Sequence, residues 1–357
     1  MGLDLRGSVV EVASGVDALY LSGRGRLARG VVEELERCRV QAARVAGGAA
    51  FGLGGAEFRV QAGAFGRWRY WLSHPAYGQV GLTALEGLPT VRVQPLAAFI
   101  HAEGVGAALD AARGWLAPVC EGLDLWASRL DLFADVVGWE LSGDDRDRFR
   151  GRFRGLHTYE DGGRFTGFTF GKRGNAVHAR IYDKTVEAEL KGNAYWRDIW
   201  RGGGWDGESR VLRVEFEFLR EGLKQFGRRT PEEALEGVGD LWCYATSKWL
   251  TYRCRTGDSN KRRWPLAREW TAVQRPAFAD HALGLERVTK ALRGADRRLL
   301  VAQLCGYLAS LGASYGEESL DEVLKLARWA ALEHCAKTGE AFPDRVRRKA
   351  AERAAGA

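Results

Sequence analysis

Apolar and polar positions change period twice along this chain of 357 residues. In residues 7–120, short runs at Val16–Leu21 (VDALYL), Glu57–Gln61 (EFRVQ), Trp68–Leu72 (WRYWL), Gly78–Leu82 and Thr90–Val93 (TVRV) alternate or stay apolar, as strands do. Between them, Leu27–Ala46 and Gly104–Leu116 place apolar residues at helical spacing with polar residues on the other side. From 121 to 225 the strand pattern is strongest: Leu125–Val137, Arg164–Phe170, Val177–Lys184 and Val211–Leu219. Gly171-Lys172-Arg173-Gly174-Asn175 separates the second and third of these by a turn of hairpin length.

Residues 142–154 satisfy two periods at once. Arg146, Arg148, Arg150, Arg152 and Arg154 alternate as in a strand, while Phe149 and Phe153 pair at helical spacing. Ser142 with Asp145 three residues on resembles a capping pair, so a helix is expected. Beyond 228 the strand pattern stops. Thr230-Pro231-Glu232-Glu233 reads as N-cap, first-turn proline and capping-box glutamate, opening a helix to about Arg253. Ser319-Leu320-Asp321-Glu322 repeats the pattern before a helix from Leu320 to about Ala336, residues 278–312 supply one or two more, and Arg345, Arg347, Arg348, Lys349 and Arg353 form a basic tail. The expected class is α+β: a largely antiparallel sheet flanked by helices in residues 1–226, and an all-helical C-terminal region over 230–357.

Composition narrows the choice of function. With 46% hydrophobic and 28% charged residues the chain belongs with ordinary globular proteins. No run approaches the roughly 18 apolar residues of a membrane span, and the start of the chain lacks the basic and apolar regions of a secretory leader, so a cytoplasmic protein is expected. Six scattered cysteines without a CxxC pair suit free thiols. The net charge of +7, the 43 arginines among 53 basic residues and the 13 tryptophans lean towards nucleic acid, although a GC-rich coding sequence gives a similar Ala, Gly and Arg bias. Gly167-Phe168-Thr169-Phe170-Gly171-Lys172-Arg173 mimics a phosphate loop with one residue too few and Arg where Ser or Thr belongs. No HExxH pattern occurs, which removes zincin chemistry.

The parity of polar residues in three strands carries more. Arg129, Asp131 and Asp135 share one face of their strand opposite Leu130, Leu132 and Ala134, and Arg213, Glu215 and Glu217 share one face opposite Val214, Phe216 and Phe218. Like charges in a half-buried sheet are unfavourable unless a cation stands between them, which points to a divalent metal site of the Mg²⁺ or Mn²⁺ type. Surface pairing of the acids with the arginines is the other reading of that parity. The third strand presents Tyr182 between Arg180 and Lys184, with His178 at the same parity.

In order, Arg129-Leu130-Asp131-Leu132 with Asp135, then Gly167–Arg173, then Arg180-Ile181-Tyr182-Asp183-Lys184, then Arg213-Val214-Glu215-Phe216-Glu217 resembles the trans-acting replication initiators of rolling-circle plasmids and the related conjugative relaxases. The opening strand, Val16–Leu21, is similar too, so the resemblance covers about 15–225. It implies that residues 1–226 are a nicking and religation domain, a metal-dependent, site-specific single-strand endonuclease and strand transferase. Tyr182 is then the nucleophile, Asp131, Glu215 and Glu217 hold the metal with Asp135 as a substitute, and Arg180, Lys184 and Arg213 neutralise charge on the phosphate. Attack by Tyr182 on origin DNA gives a phosphotyrosyl enzyme and a free 3′-hydroxyl that primes synthesis and later religates.

Two other functions compete: a conjugative relaxase of the same chemistry, separable only by its transfer origin, and a DNA-binding regulator with no catalysis. The second draws on Trp249–Trp270, where Arg253, Arg255, Lys261, Arg262 and Arg263 interleave with Trp249, Tyr252, Trp264 and Trp270 as in a stacking surface. DNA contacts are expected at Lys172, Arg173, Lys261, Arg262 and Arg263, and the resemblance adds a host helicase and a second copy of the chain as partners.

Overall fold

The structure is a computed structural model that describes residues 9–45, 47–276, 304, 308–309, 311–339 and 341–347. Two strands of 18 residues form its axis, β1 (Val10–Leu27) and β7 (Cys120–Val137), paired antiparallel from Val10↔Val137 to Leu27↔Cys120. Four register irregularities bend β1, the last between Arg24 and Arg26. Gly23 and Gly25 lie where a Cβ would stand 2.8 Å from a carbonyl oxygen of β7's chain, which is why a Gly-Arg-Gly-Arg sequence without apolar alternation continues the strand.

On one side of β1 the order runs β6 (Val91–Pro95), β5 (Gly78–Leu82), β4 (Tyr70–His74), β3 (Ala56–Val60), β2 (Ala49–Leu53). Helices α1 (Val31–Ala42), α2 (Ala97–Glu103) and α3 (Val105–Leu116) pack there. On the other side of β7 stand β12 (Leu212–Leu219), β11 (Val177–Asp183), β10 (Arg164–Phe170) and β9 (Leu156–Asp161). This is the α+β, antiparallel arrangement that the alternation of strands and helices predicts. Strands β2 and β9 and helix α2 have no expectation behind them, since β9 alternates only weakly and is an exposed edge.

Residues 142–154 are not the helix expected from Ser142 and Asp145. The capping pair forms, with Ser142 N–H donating to Asp145 Oδ2 at 3.0 Å, but it opens only a short 3₁₀ helix, Gly143–Arg148. From Phe149 the alternating arginines win, and β8 (Phe149–Gly151) pairs with β13 (Leu250–Tyr252). Nor does one helix run from Thr230 to Arg253. The cap forms as expected, but α7 (Pro231–Glu236) stops at Gly237, where a Cβ would lie 2.2 Å from Arg228 Nε. Then α8 (Val238–Tyr244) leads through a π turn into strand β13, although no strand was expected beyond 228.

Aromatic side chains from residues 242–270 cover the apolar face of the central strands. Phe216 meets Trp242 edge-on at 5.4 Å and Trp249 at 6.0 Å. Trp270, from α9 (Arg268–Gln274), donates its indole N–H to Thr246 O at 2.8 Å. The chain forms two compact units, residues 1–294 and 295–357, so the sequence-based junction at 226–230 lies within the first. In the second, α10 (Leu320–Thr338) starts behind Ser319 and ends at Gly339 with φ +70°. The expectations for residues 278–303, Cys305, Arg348, Lys349 and Arg353 fall outside the described residues. Cys38, Cys120, Cys243 and Cys254 are free thiols, and among the described residues no helix is long and apolar enough to cross a membrane.

Candidate active site

Because side chains alternate across a strand, antiparallel register stacks the polar positions of β11, β12 and β7 into three rows on one face. Tyr182 stands opposite Arg213, which stands opposite Asp135. Arg180 faces Glu215, which faces Phe133, and His178 faces Glu217, which faces Asp131. The residues singled out by parity on three separate strands therefore share one surface.

The first row is sealed. Arg213 has no exposed side-chain area; it gives Asp135 two bonds, Nε to Oδ1 at 2.7 Å and a second to Oδ2 at 2.8 Å, and gives Asp17 a third at 2.7 Å. Its guanidinium lies 3.9 Å from the Phe133 ring centre and 4.0 Å from that of Trp196. Trp196 and Trp200, both on α5 (Tyr195–Gly202), close this end, and the Trp200 indole donates to Asp135 Oδ2 at 2.8 Å. His101 on α2 lies 3.1 Å from Asp17. Burial would lift Asp17, but Arg213 and His101 hold it well below the usual carboxylate range; burial pushes His101 down, so it is neutral beside its partner. Arg213 thus has its donors occupied by carboxylates and anchors strands rather than meeting solvent. Asp17, His101 and Trp196 belong to this cluster and were not singled out in the sequence; the one available sign was Asp17, a carboxylate in an otherwise apolar strand.

The other two rows are acidic groups held by arginines. Arg129 Nε donates to Asp131 Oδ1 at 2.8 Å, and the same guanidinium reaches Glu217 Oε2 at 3.0 Å. Arg180 pairs with Glu215. Burial, with Glu215 and Glu217 close by, raises Asp131 to about 8 despite Arg129. Displacing the proton that this raised carboxyl holds at neutral pH would leave three carboxylates to two guanidinium groups. Among the described residues no three His, Cys, Asp or Glu groups stand close enough to enclose an ion. Mg²⁺, however, is commonly held by one or two carboxylates with substrate phosphate oxygens supplying further ligands, and hard oxygen donors of which one would give up its proton to the ion fit that mode.

Tyr182 occupies the boundary between the sealed and acidic rows. It is half-buried, and its hydroxyl donates to Glu215 Oε2 at 3.0 Å. Gly167, its partner on β10, leaves the room it needs: a Cβ there would lie 2.4 Å from Ile181 O and 2.9 Å from Tyr182 Cβ. Burial first, then the Glu215 carboxylate, push the phenol well above its ordinary value, against Arg213 and Arg180. The cations beside Tyr182 therefore do not make it a resting phenolate, contrary to what its sequence neighbours suggest. Lys184 is not on the strand: Asp183 caps α4 (Lys184–Leu190), and Lys184 is buried with its Nζ 2.6 Å from Glu187 and 5.7 Å from the Tyr182 ring centre.

Arg180, His178, Glu217 and Arg129 line a cleft of about 850 Å³ whose outer wall carries Lys172 and Arg173 from the β10–β11 turn. Those two predicted DNA contacts therefore join the site. Lys261, Arg262 and Arg263 do not: they lie on an exposed loop, and Lys261 and Arg262 line a different cleft. The rings interleaved with them, Trp249, Tyr252, Trp264 and Trp270, are buried and offer no stacking surface.

No protein-family model matches the chain, and no curated protein is similar to it. Among solved structures, it is similar to the rolling-circle replication initiator protein from Geobacillus stearothermophilus, with 19% identity and a TM-score of 0.44 over 73% of this chain and 96% of that one.

Proposed function

We propose that this protein initiates rolling-circle replication by nicking one DNA strand through Tyr182. The observation that carries the reading is the 3.0 Å hydrogen bond from the Tyr182 hydroxyl to Glu215, beside a cleft walled by Arg180, Lys172 and Arg173. A phenol held protonated needs an acceptor at the moment of attack, and Glu215 is already in place as general base. The Tyr182 oxygen forms a bond to the scissile phosphorus, its proton passes to Glu215, and the bond to the 3′-oxygen breaks. That oxygen leaves as a 3′-hydroxyl after taking a proton from solvent, and the 5′-phosphate stays on the enzyme. Reversal rejoins the strand.

Arg180 stands where charge develops on the phosphate, and Arg129 orients Asp131 and Glu217. Asp131 and Glu217, with Glu215 nearby, are the residues that would hold Mg²⁺ or Mn²⁺, which supplies charge neutralisation at the phosphate. Arg213 and Lys184 act through position: the first fixes β12 and β7 under Tyr182, the second fills the space beside its ring. A conjugative relaxase would use the same groups; the nature of the origin distinguishes the two.

The test uses supercoiled DNA of the element that encodes the protein, with Mg²⁺ or Mn²⁺. The wild-type protein should give a nicked circle, and Tyr182→Phe or EDTA should abolish it. Nicking by Tyr182→Phe at the wild-type rate would overturn the reading, and full activity in EDTA would remove the metal from it.

A further inference from the structure

The Arg152–His157 segment separates two clefts: Arg154 and His157 line the one beside Arg180, and Arg152 and Leu156 line another of about 790 Å³. Seven cationic side chains and two carboxylates surround this second cleft. Asp147, one of the carboxylates, is taken up by Arg255 at 2.7 Å and Lys261 at 3.0 Å. Among the described residues Arg146, Arg150, Arg152, Lys248, Arg253 and Arg262 form no ion pair. Arg253 is instead held by neutral oxygens, Trp264 O at 2.7 Å and Thr251 Oγ1 at 3.2 Å. Burial and the neighbouring Arg253 keep Arg150 below the usual guanidinium value even with Asp147 nearby. Cations crowded without counter-charges cost free energy in the free protein, and an anionic ligand relieves that cost.

The rings near the cleft identify which anion. Proteins that hold single strands offer aromatic faces to unstacked bases. Here Phe149, Trp249, Tyr252 and Trp264 are buried, and Phe153 packs on Phe170 at 5.1 Å, so the cleft shows charge without a stacking platform. Such a surface suits a polymer whose bases are already paired and whose phosphates face outward.

We propose that this second cleft grips the sugar-phosphate backbone of duplex DNA flanking the strand presented to Tyr182. The proposal deepens the nickase reading and rests on it. Lys261 and Arg262, expected from the sequence to meet DNA, become two members of a site whose other contacts come from β8, the π turn and the segment after β8. Duplex held here would continue over Arg152–His157 towards Arg154, Lys172 and Arg173.

The test combines Arg150→Gln, Arg152→Gln and Lys248→Gln in one protein, with Arg29→Gln, Arg37→Gln and Arg44→Gln as a control of equal charge. Binding is measured on the Tyr182→Phe background with a fluorescent duplex and a single-stranded oligonucleotide of the same length. The cleft variant should lose about tenfold or more in duplex affinity at 0.1 M salt, and its slope of log affinity against log salt should fall by about 0.9 per lost phosphate contact. The control variant should lose far less, and single-strand binding should stay within about twofold of the parent. With Tyr182 restored, the cleft variant should form the covalent adduct on single-stranded substrate at the wild-type level. Equal losses in the cleft and control variants, or an unchanged duplex affinity at an unchanged unfolding temperature, would overturn the proposal. A wild-type protein that forms no adduct would overturn the nickase reading alone, since duplex binding is scored without cleavage.

Discussion

The hydroxyl of Tyr182 donates to Glu215 across the β11–β12 ladder at 3.0 Å, although the two residues are 33 positions apart in the chain. The pairing places them one row out of step, since Tyr182 faces Arg213 and Glu215 faces Arg180. The contact is thus diagonal, and it leaves Arg180 free to hold Glu215 from the other side. The nucleophile, its proton acceptor and the nearest cation form one chain of charge-assisted bonds.

Glu215→Gln should therefore behave differently from loss of a remote carboxylate. The amide keeps the volume but takes no proton, so adduct formation should fall about 10²–10⁴-fold, the range typical of a lost general base, while DNA affinity holds. Adduct yield and duplex affinity measured side by side for the wild type and the variant check this.

Asp131 gives a dependence of stability on pH with a definite sign. Its carboxyl is raised from 3.8 to about 8 by burial and by Glu215 and Glu217, so the folded protein binds a proton that the unfolded chain releases. The resulting stabilisation is full below about pH 4 and is lost as pH rises through about 8. Asp131→Asn, always neutral, should unfold at a temperature near the wild type at pH 5 in EDTA and above it at pH 9, by about 1–2 °C for each kcal/mol in a protein of this size. Mg²⁺ should then raise the wild-type midpoint at pH 9 and leave Asp131→Asn unmoved. Differential scanning fluorimetry reads both effects.

Asp135 is fully buried and makes two bonds to Arg213. Asp135→Ala leaves a buried guanidinium with only Asp17, and it should cost about 3–5 kcal/mol in urea unfolding. Arg213→Lys should also destabilise, because a single ammonium nitrogen replaces the three guanidinium nitrogens that hold Asp135 bidentately and reach Asp17.

Gly167→Ala tests the space that Tyr182 needs. The new methyl meets Ile181 O and Tyr182 Cβ at sub-contact distances, so it should cost about 1–3 kcal/mol and slow adduct formation. Gly52→Ala, in a strand with open space at the Cβ position, is the control and should be nearly neutral.

The sequence made the central sheet legible where alternation was clean. β5, β7, β10, β11 and β12 follow runs in which apolar and polar residues take opposite faces, and the same parity singles out Asp131, Glu215, Glu217, Arg180 and Tyr182 from the sequence alone. It failed where tertiary packing overrode local pattern. The C-terminal end of β1 is glycine-rich and extends only because β7 lies alongside, and Val238–Tyr252 changes from helix to strand because β8 offers a partner. Asp17 and His101 were invisible as a pair because 84 residues separate them. The tryptophans after 249 misled for a related reason: spacing shows that rings and cations alternate, but only the fold shows that the rings face the core and the cations face solvent.

The most direct measurement is the identity of the residue that carries DNA. The protein is incubated with a single-stranded oligonucleotide spanning the nicked position and Mn²⁺, the denatured adduct is digested, and the nucleotide-bearing peptide is sequenced by mass spectrometry. The account predicts the phosphotyrosyl mass on Tyr182, with Tyr182→Phe giving no adduct and Tyr159→Phe and Tyr195→Phe giving the wild-type amount. A mass on Tyr159, Tyr195 or any other side chain would contradict it.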